Sequence, residues 1–172
     1  MTNDEKRRAQ TMKPSSTEWT SSDGAEPRVL VVDDDPRLLS SLASLLKGKG
    51  YDVIEAEGGR MAYRVLETQS FDLAMLDLRM PDVDGFDVME RLSSRQPDCG
   101  VIVVSGESSF SSVSRALRRG ALDYIRKPFD PEELLTTVNS VLGKRSLIRA
   151  HEHVRMRLEK SEELHRYIVN SS

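Results

Sequence analysis

The sequence predicts a five-stranded, parallel, doubly wound α/β domain over residues 28–143, and three observations predict it. Short apolar runs and amphipathic stretches alternate five times; runs such as VLVV and VIVV are apolar on both faces; Gly or Pro marks most of the junctions. Strands alternating with helices of roughly ten residues build βαβ units, whose right-handed crossovers leave the strands parallel. A strand with no polar face belongs to a sheet that helices cover on both sides.

In chain order, the first strand is read at 28–32, followed by an amphipathic stretch at 36–49 that ends against Gly50. Asp35 before Pro36 suits a helix start, with the carboxylate as N-cap and proline in the first turn. The second strand is read at 51–55, and Gly58-Gly59 separates it from a helix at 60–68. A third strand at 73–76 precedes a helix at 85–95, and Pro97 separates that helix from a fourth strand at 100–104. A helix at 109–119 stops at Gly120, before a fifth strand at 121–125 and a final helical pattern. Cys99 is expected to pack at the start of the fourth strand.

Residues 1–27 hold no Val, Leu, Ile or Phe and are rich in Ser, Thr and charge. Such a segment buries too little apolar surface to offset its ordering entropy, so a disordered tail is expected, with Trp19 its one docking feature. The formal charge of −3 argues against a protein held on nucleic acid or anionic lipid by charge alone. No apolar run approaches the length of a membrane span. The basic N-terminus has no apolar stretch behind it, as a secretory leader would. A single cysteine cannot form an internal disulfide, which suits the reducing cytoplasm.

Functional crevices in doubly wound sheets lie at the carboxyl ends of the strands. The chemistry-bearing residues of this chain fall there: Asp33-Asp34-Asp35 after the first strand, Asp77 after the third, Ser105 after the fourth and Lys127 after the fifth. Clustered carboxylates repel unless a positive charge lies between them. Hard oxygen ligands favour Mg²⁺, which takes one or two carboxylates and keeps room for phosphate oxygens. A carboxylate left facing outward can act as a nucleophile towards phosphorus. Lys127 and Ser105 supply the charge and hydrogen bond that a transferring phosphoryl group needs. Each residue alone has an ordinary structural explanation; four placements on one sheet edge form the signal.

The segments VLVVDDDP, MLDLRMPDVDG, VVSGE and ALDYIRKPFDPEEL, in this order and spacing, resemble the receiver domains of two-component response regulators. The resemblance covers residues 28 to about 143 and implies a flavodoxin-like fold with Asp77 as phosphoacceptor. It implies Mg²⁺, or Mn²⁺ in its place, on Asp34, Asp77 and the backbone carbonyl of Arg79, with Asp33 acting through water. It further implies that Ser105 bonds a phosphoryl oxygen, that Lys127 pairs with the phosphate and that Tyr124 swings inward on activation. A cis Lys127–Pro128 bond is also implied. Gly106, where the family often has Ala, should leave more room beside the acyl phosphate. Arg79 and Glu107 should stand at the mouth of the site, within reach of each other. The implied partner is a histidine kinase or phosphotransfer protein.

Residues 144–172 stay helical and strongly charged, with Leu147, Val154, Ser161 and Ile168 at one heptad position and His151, Leu158 and His165 at the other. This weak seam is read as a dimerising signalling helix, against a solvated helix held by salt bridges. The last residues, LEKSEELHRYIVNSS, resemble the opening segment of PAS sensor domains, which points to a missing output module. A stand-alone receiver acting by partner docking is the alternative. An aspartate-nucleophile phosphatase would place a second Asp two residues after Asp77, where Arg79 stands, so no enzyme is expected beyond intrinsic Mg²⁺-dependent self-phosphorylation and dephosphorylation. The 29 residues after Gly143 leave no room for a helix-turn-helix output, so no direct contact with nucleic acid is expected.

Overall fold

Five parallel strands form one sheet in the order β2-β1-β3-β4-β5 in a computed structural model of the chain. The strands are β1 (Arg28–Asp33), β2 (Asp52–Glu57), β3 (Leu73–Leu76), β4 (Gly100–Ser105) and β5 (Asp123–Arg126). The intervening helices are α1 (Pro36–Lys47), α2 (Gly59–Thr68), α3 (Gly85–Arg95) and α4 (Phe110–Arg118), and α5 (Pro131–Asn170) closes the chain. The structure describes residues 25–170, so most of the expected tail, Trp19 included, lies outside the described residues.

Two apolar cores cover the two faces of the sheet. On one face Leu30, Ala74, Leu76, Val101 and Val103 meet Leu66 of α2, Met89 and Leu92 of α3, and Ala116 of α4. On the other, Val29, Val31, Met75, Ile102 and Val104 meet Leu42 and Leu46 of α1 and Leu134, Val138 and Leu142 of α5. Successive strand residues therefore feed opposite cores, which is why the runs have no polar face. Each fully buried Leu or Val adds roughly 1.5–3 kcal/mol relative to exposure.

Strand boundaries shift slightly from the sequence reading, and each shift bears on the rim. Asp33 and Ser105 are the last residues of their strands, so their side chains inherit the strand direction. The fifth strand starts at Asp123, because Gly120 (φ 98°) reverses the chain and the Ala121 amide donates back to the Ala116 carbonyl at 3.1 Å. The strand order reverses beside β1, which places Asp33 and Asp77 on either side of the switch point.

The last helix runs 40 residues, about 60 Å at 1.5 Å per residue, without a break at Gly143. Its first turns pack on β4 and β5. The last contacts are ionic and polar: the Arg145 Nη2 group donates to the Pro97 carbonyl at 3.3 Å, and Arg149 donates to Asp72 Oδ1 at 2.8 Å and to the Asp98 carbonyl at 3.3 Å. From Ala150 to Asn170 every residue is exposed. No helix among the described residues is long and apolar enough to cross a membrane.

Candidate functional site

Three carboxylates converge at the carboxyl edge. Asp33 ends β1, Asp34 follows it, and Asp77 follows β3 with its amide donating to the Val32 carbonyl at 2.9 Å. One oxygen from each of Asp33, Asp34 and Asp77 lies within 4.8 Å of the other two. Asp33 and Asp77 are buried and Asp34 is exposed. The neighbouring Asp35 takes the capping role: its Oδ1 accepts from the Arg37 and Leu38 amides at 2.9 and 3.4 Å at the head of α1.

Lys127 closes the cluster from the far side of the sheet. The Lys127–Pro128 bond is cis, and the Lys127 amide donates to the Ser105 carbonyl at 2.9 Å, which fixes the loop after β5 to the end of β4. Its Nζ then reaches Asp33 Oδ2 at 2.6 Å and Asp77 Oδ2 at 2.9 Å. Burial alone would favour neutral Lys127, yet the hydrogen bonds to Asp33 and Asp77 hold its pKa above the ordinary lysine value. Burial pushes the Asp33 carboxyl up, only partly offset by Lys127 and by the Asp35 amide that donates to Asp33 Oδ1 at 2.9 Å. Ser105 is fully buried, and its Oγ accepts from the Glu107 amide at 3.3 Å.

At the mouth, the Arg79 guanidinium is ion-paired with Glu107, as the two-residue offsets from Asp77 and Ser105 suggest. The Arg79 hydrogen bond to Glu107 holds that carboxyl below its usual range. The Arg79 amide donates to Asp77 Oδ1 at 3.2 Å, so one residue contacts both the buried carboxylate and Glu107. The Tyr124 hydroxyl donates to the backbone carbonyl of the same Glu107, which is thereby held from two sides. A Cβ built at Gly106 would meet nothing within 4 Å, so there is open room beside Ser105.

Two supports of the site are missing from the motif reading. The Asp82 carboxylate, in the loop between β3 and α3, accepts from the amides of Gly59 at 3.1 Å and Arg60 at 2.9 Å, capping α2 from outside that helix. These amide hydrogen bonds, led by that of Arg60, lower its pKa. Asp82 can approach so closely only because Gly58 (φ 84°) and Gly59 lack side chains; a Cβ on Gly59 would lie 2.5 Å from Val83 Cβ. The Gly58-Gly59 pair was the available signal, and a reading of it as punctuation alone leaves this contact out. The second support is Gly85, where a Cβ would sit 2.2 Å from the Asp77 carbonyl oxygen and 2.6 Å from Leu78 Cα.

The donor set fits a hard divalent cation. Three carboxylates contribute oxygens only, with no His or Cys among them, and one of the three faces solvent where exchange is open. Capping α1 occupies Asp35 and leaves all three carboxylates of the cluster free of that role, while Lys127 balances part of the charge on Asp33 and Asp77.

Known proteins resemble this chain in sequence and in fold. The family model for the response regulator receiver domain matches residues 29–139. The chain is 37% identical over 115 residues to the transcriptional regulatory protein ZraR of Escherichia coli, a match covering 67% of this chain and 26% of that protein. It is 36% identical over 115 residues to the heme response regulator HssR of Staphylococcus aureus, covering 67% of this chain and 51% of that one. The chain thus spans between about a quarter and a half of the length of these relatives. Among solved structures, the receiver domain of a LuxO repressor from Vibrio parahaemolyticus superposes with a TM-score of 0.70 at 30% identity, covering 74% of this chain and 98% of that one. TrrA of Thermotoga maritima, solved in complex with Mg²⁺-BeF, does so with a TM-score of 0.61 at 30% identity, covering 67% of this chain and 98% of that one.

Proposed function

Because the chain belongs to the response regulator receiver domain family, we propose that it is a phosphorylation-controlled switch with Asp77 as the phosphoacceptor. The observation that carries the reading is the position of Asp77: buried at the end of β3, 2.9 Å from the Lys127 ammonium and beside two further carboxylates. In the proposed reaction an Asp77 oxygen attacks the phosphorus of a phosphohistidine on a histidine kinase or phosphotransfer protein. The P–N bond breaks, the imidazole leaves with its electron pair, and an acyl phosphate forms. Lys127 balances the charge on the phosphoryl oxygens, and Ser105 turns its hydroxyl to one of them. Tyr124, already bonded to the Glu107 carbonyl, would then follow the shift of the β4–α4 loop.

Asp34, Asp77 and the Arg79 carbonyl would hold Mg²⁺ or Mn²⁺ directly, with Asp33 acting through water. Bound there, the cation would neutralise phosphoryl charge. The test of the whole reading is intact-mass measurement after incubation with Mg²⁺ and a small acyl phosphate. One phosphoryl group should be added, and an unmodified chain would overturn the proposal.

The cation itself should be visible in thermal stability. A ligand that binds only the folded state raises stability by about 2.7 kcal/mol at a hundredfold excess over its Kd. Mg²⁺ titration should therefore raise the melting temperature of the wild type, and Asp34→Ala should lose most of that rise. Equal shifts in both proteins would remove Asp34 from the ligand set.

Signal lifetime should depend on the gate. Acyl phosphates are lost when water attacks in line with the aspartyl oxygen, and the Arg79–Glu107 pair lies across the opening. Arg79 is largely exposed, so Arg79→Ala should barely move the melting temperature. It should change the dephosphorylation rate several-fold, followed by the decay of the phosphorylated mass. Superimposable decay curves would show that the pair has no kinetic role.

Residues 28–143 act in this reading as the receiver, working in the cytoplasm, and the helix beyond them carries its change to an output module or partner. A PAS-like module would suit the closing sequence. The exposed stretch of α5 pairs with a second copy of the chain.

A further inference from the structure

The end of α5 has a sidedness that decides how such a pair would form. At about 3.6 residues per turn, Leu134, Val138, Val141, Arg145 and Arg149 share one side of the helix. These are the residues that pack or bond to the domain. Leu147, His151, Val154, Leu158, Ser161 and His165 fall on the opposite side. The heptad seam therefore faces away from the protein's own receiver domain, and Leu147 (74%), Val154 (58%) and Leu158 (59%) are left exposed along it. A helical stretch of some twenty solvent-exposed residues is marginal in water. Burying this seam is what would hold it.

The flanking charges select the arrangement. With Leu147, Val154 and Ser161 as d positions and His151, Leu158 and His165 as a positions, Arg157 occupies g and Glu162 the following e. In a parallel, in-register pair each g residue lies beside the e residue five positions on in the other helix. Arg157 of each copy then meets Glu162 of the other. Within the chain, among the described residues, neither has an ion-pair partner, whereas Arg155 already pairs with Glu159 at 3.4 Å. The next pair along, Leu164 with Val169, is apolar on both sides. An antiparallel pair brings g beside g and e beside e, so Arg157 and Glu162 no longer face each other. Polar layers at His151, Ser161 and His165 cost stability, yet they penalise any register that places them against Leu158 or Val154.

We propose that residues 147–168 form a parallel, in-register two-stranded coiled coil with a second copy of this chain, aligned by reciprocal Arg157–Glu162 pairs. The inference rests on the reading of α5 as a dimerising helix and adds its orientation, register and recognition pair. Two receiver domains would then sit side by side at the same end of the coil.

The full chain carrying Ser161→Cys tests this, with Glu163→Cys, on the outer face, as its control. The native Cys99 thiol is buried and pushed up to about 12, so it stays protonated and out of the reaction. Under mild oxidation Ser161→Cys should run as a covalent dimer on non-reducing gels, and Glu163→Cys should not. By sedimentation, Glu162→Arg should weaken the dimer roughly fivefold. The double variant Arg157→Glu/Glu162→Arg should restore it. A stable dimer that crosslinks equally well through Glu163→Cys, or that ignores both charge variants, overturns the arrangement while leaving dimerisation intact. A chain that sediments as a monomer at high concentration overturns both, without touching the phosphoacceptor reading.

Discussion

Replacing Asp77 by Asn should leave a folded domain that accepts no phosphoryl group. The substitution keeps the shape of the side chain and removes the anionic oxygen that would attack phosphorus. Folding should survive, because the Asp77 backbone amide still bonds the Val32 carbonyl and Lys127 keeps its 2.6 Å contact with Asp33. Loss of one buried negative charge also relieves repulsion of Asp33, which partly offsets the missing Lys127 contact. The measurement is intact mass after parallel incubation of both proteins with Mg²⁺ and a small acyl phosphate. Wild type should gain one phosphoryl group, and Asp77→Asn none. Undiminished labelling of the variant, mapped to Asp33 or Asp34, would move the acceptor to the neighbouring carboxylates.

The geometry of this candidate site is largely legible in the sequence because its residues sit at element ends, where spacing is rigid. Once the apolar runs are read as parallel strands, Asp33, Asp77, Ser105 and Lys127 must share one edge. The Arg79–Glu107 pair follows from the same arithmetic, two residues beyond Asp77 and Ser105. The capping role of Asp35 is legible for a different reason: it depends only on the three residues that follow. Asp82 is not legible this way. Its partners, Gly59 and Arg60, lie 23 and 22 residues away in the chain. No local pattern specifies that contact, which depends on how α2 and the β3–α3 loop settle against each other. The unbroken passage of α5 through Gly143 is intermediate, since the lack of any further Gly or Pro suggests it. The side of the helix that faces away from the domain is fixed by Arg145 and Arg149 finding Pro97, Asp98 and Asp72, which only the assembled fold brings together.

Gly85→Ala should cost stability and phosphorylation together, because this glycine is the floor under Asp77. The added Cβ would lie 2.2 Å from the Asp77 carbonyl oxygen and 2.6 Å from Leu78 Cα, against an ordinary carbon contact of about 3.5–4.0 Å. Both atoms are backbone, so no rotamer change relieves the clash. On one side the Asp77 amide is held by the Val32 carbonyl at 2.9 Å; on the other the Gly85 amide bonds the Leu78 carbonyl at 3.0 Å as α3 begins. Either α3 or the β3–α3 loop has to move. Overpacking typically costs about 1–3 kcal/mol, and a backbone clash belongs at the upper end of that range. For a domain of this size that corresponds to a fall of roughly 10 °C in melting temperature. Movement of the loop also carries Asp77 away from Lys127, so the folded fraction should label more slowly than wild type at a temperature where both are native. Gly106→Ala is the matching control, since a Cβ there meets nothing within 4 Å. It should leave the melting temperature unchanged or slightly higher, by loss of unfolded-state freedom. A Gly85→Ala protein that melts with the wild type and labels at its rate would show that the loop yields freely, and that Asp77 is not positioned from below.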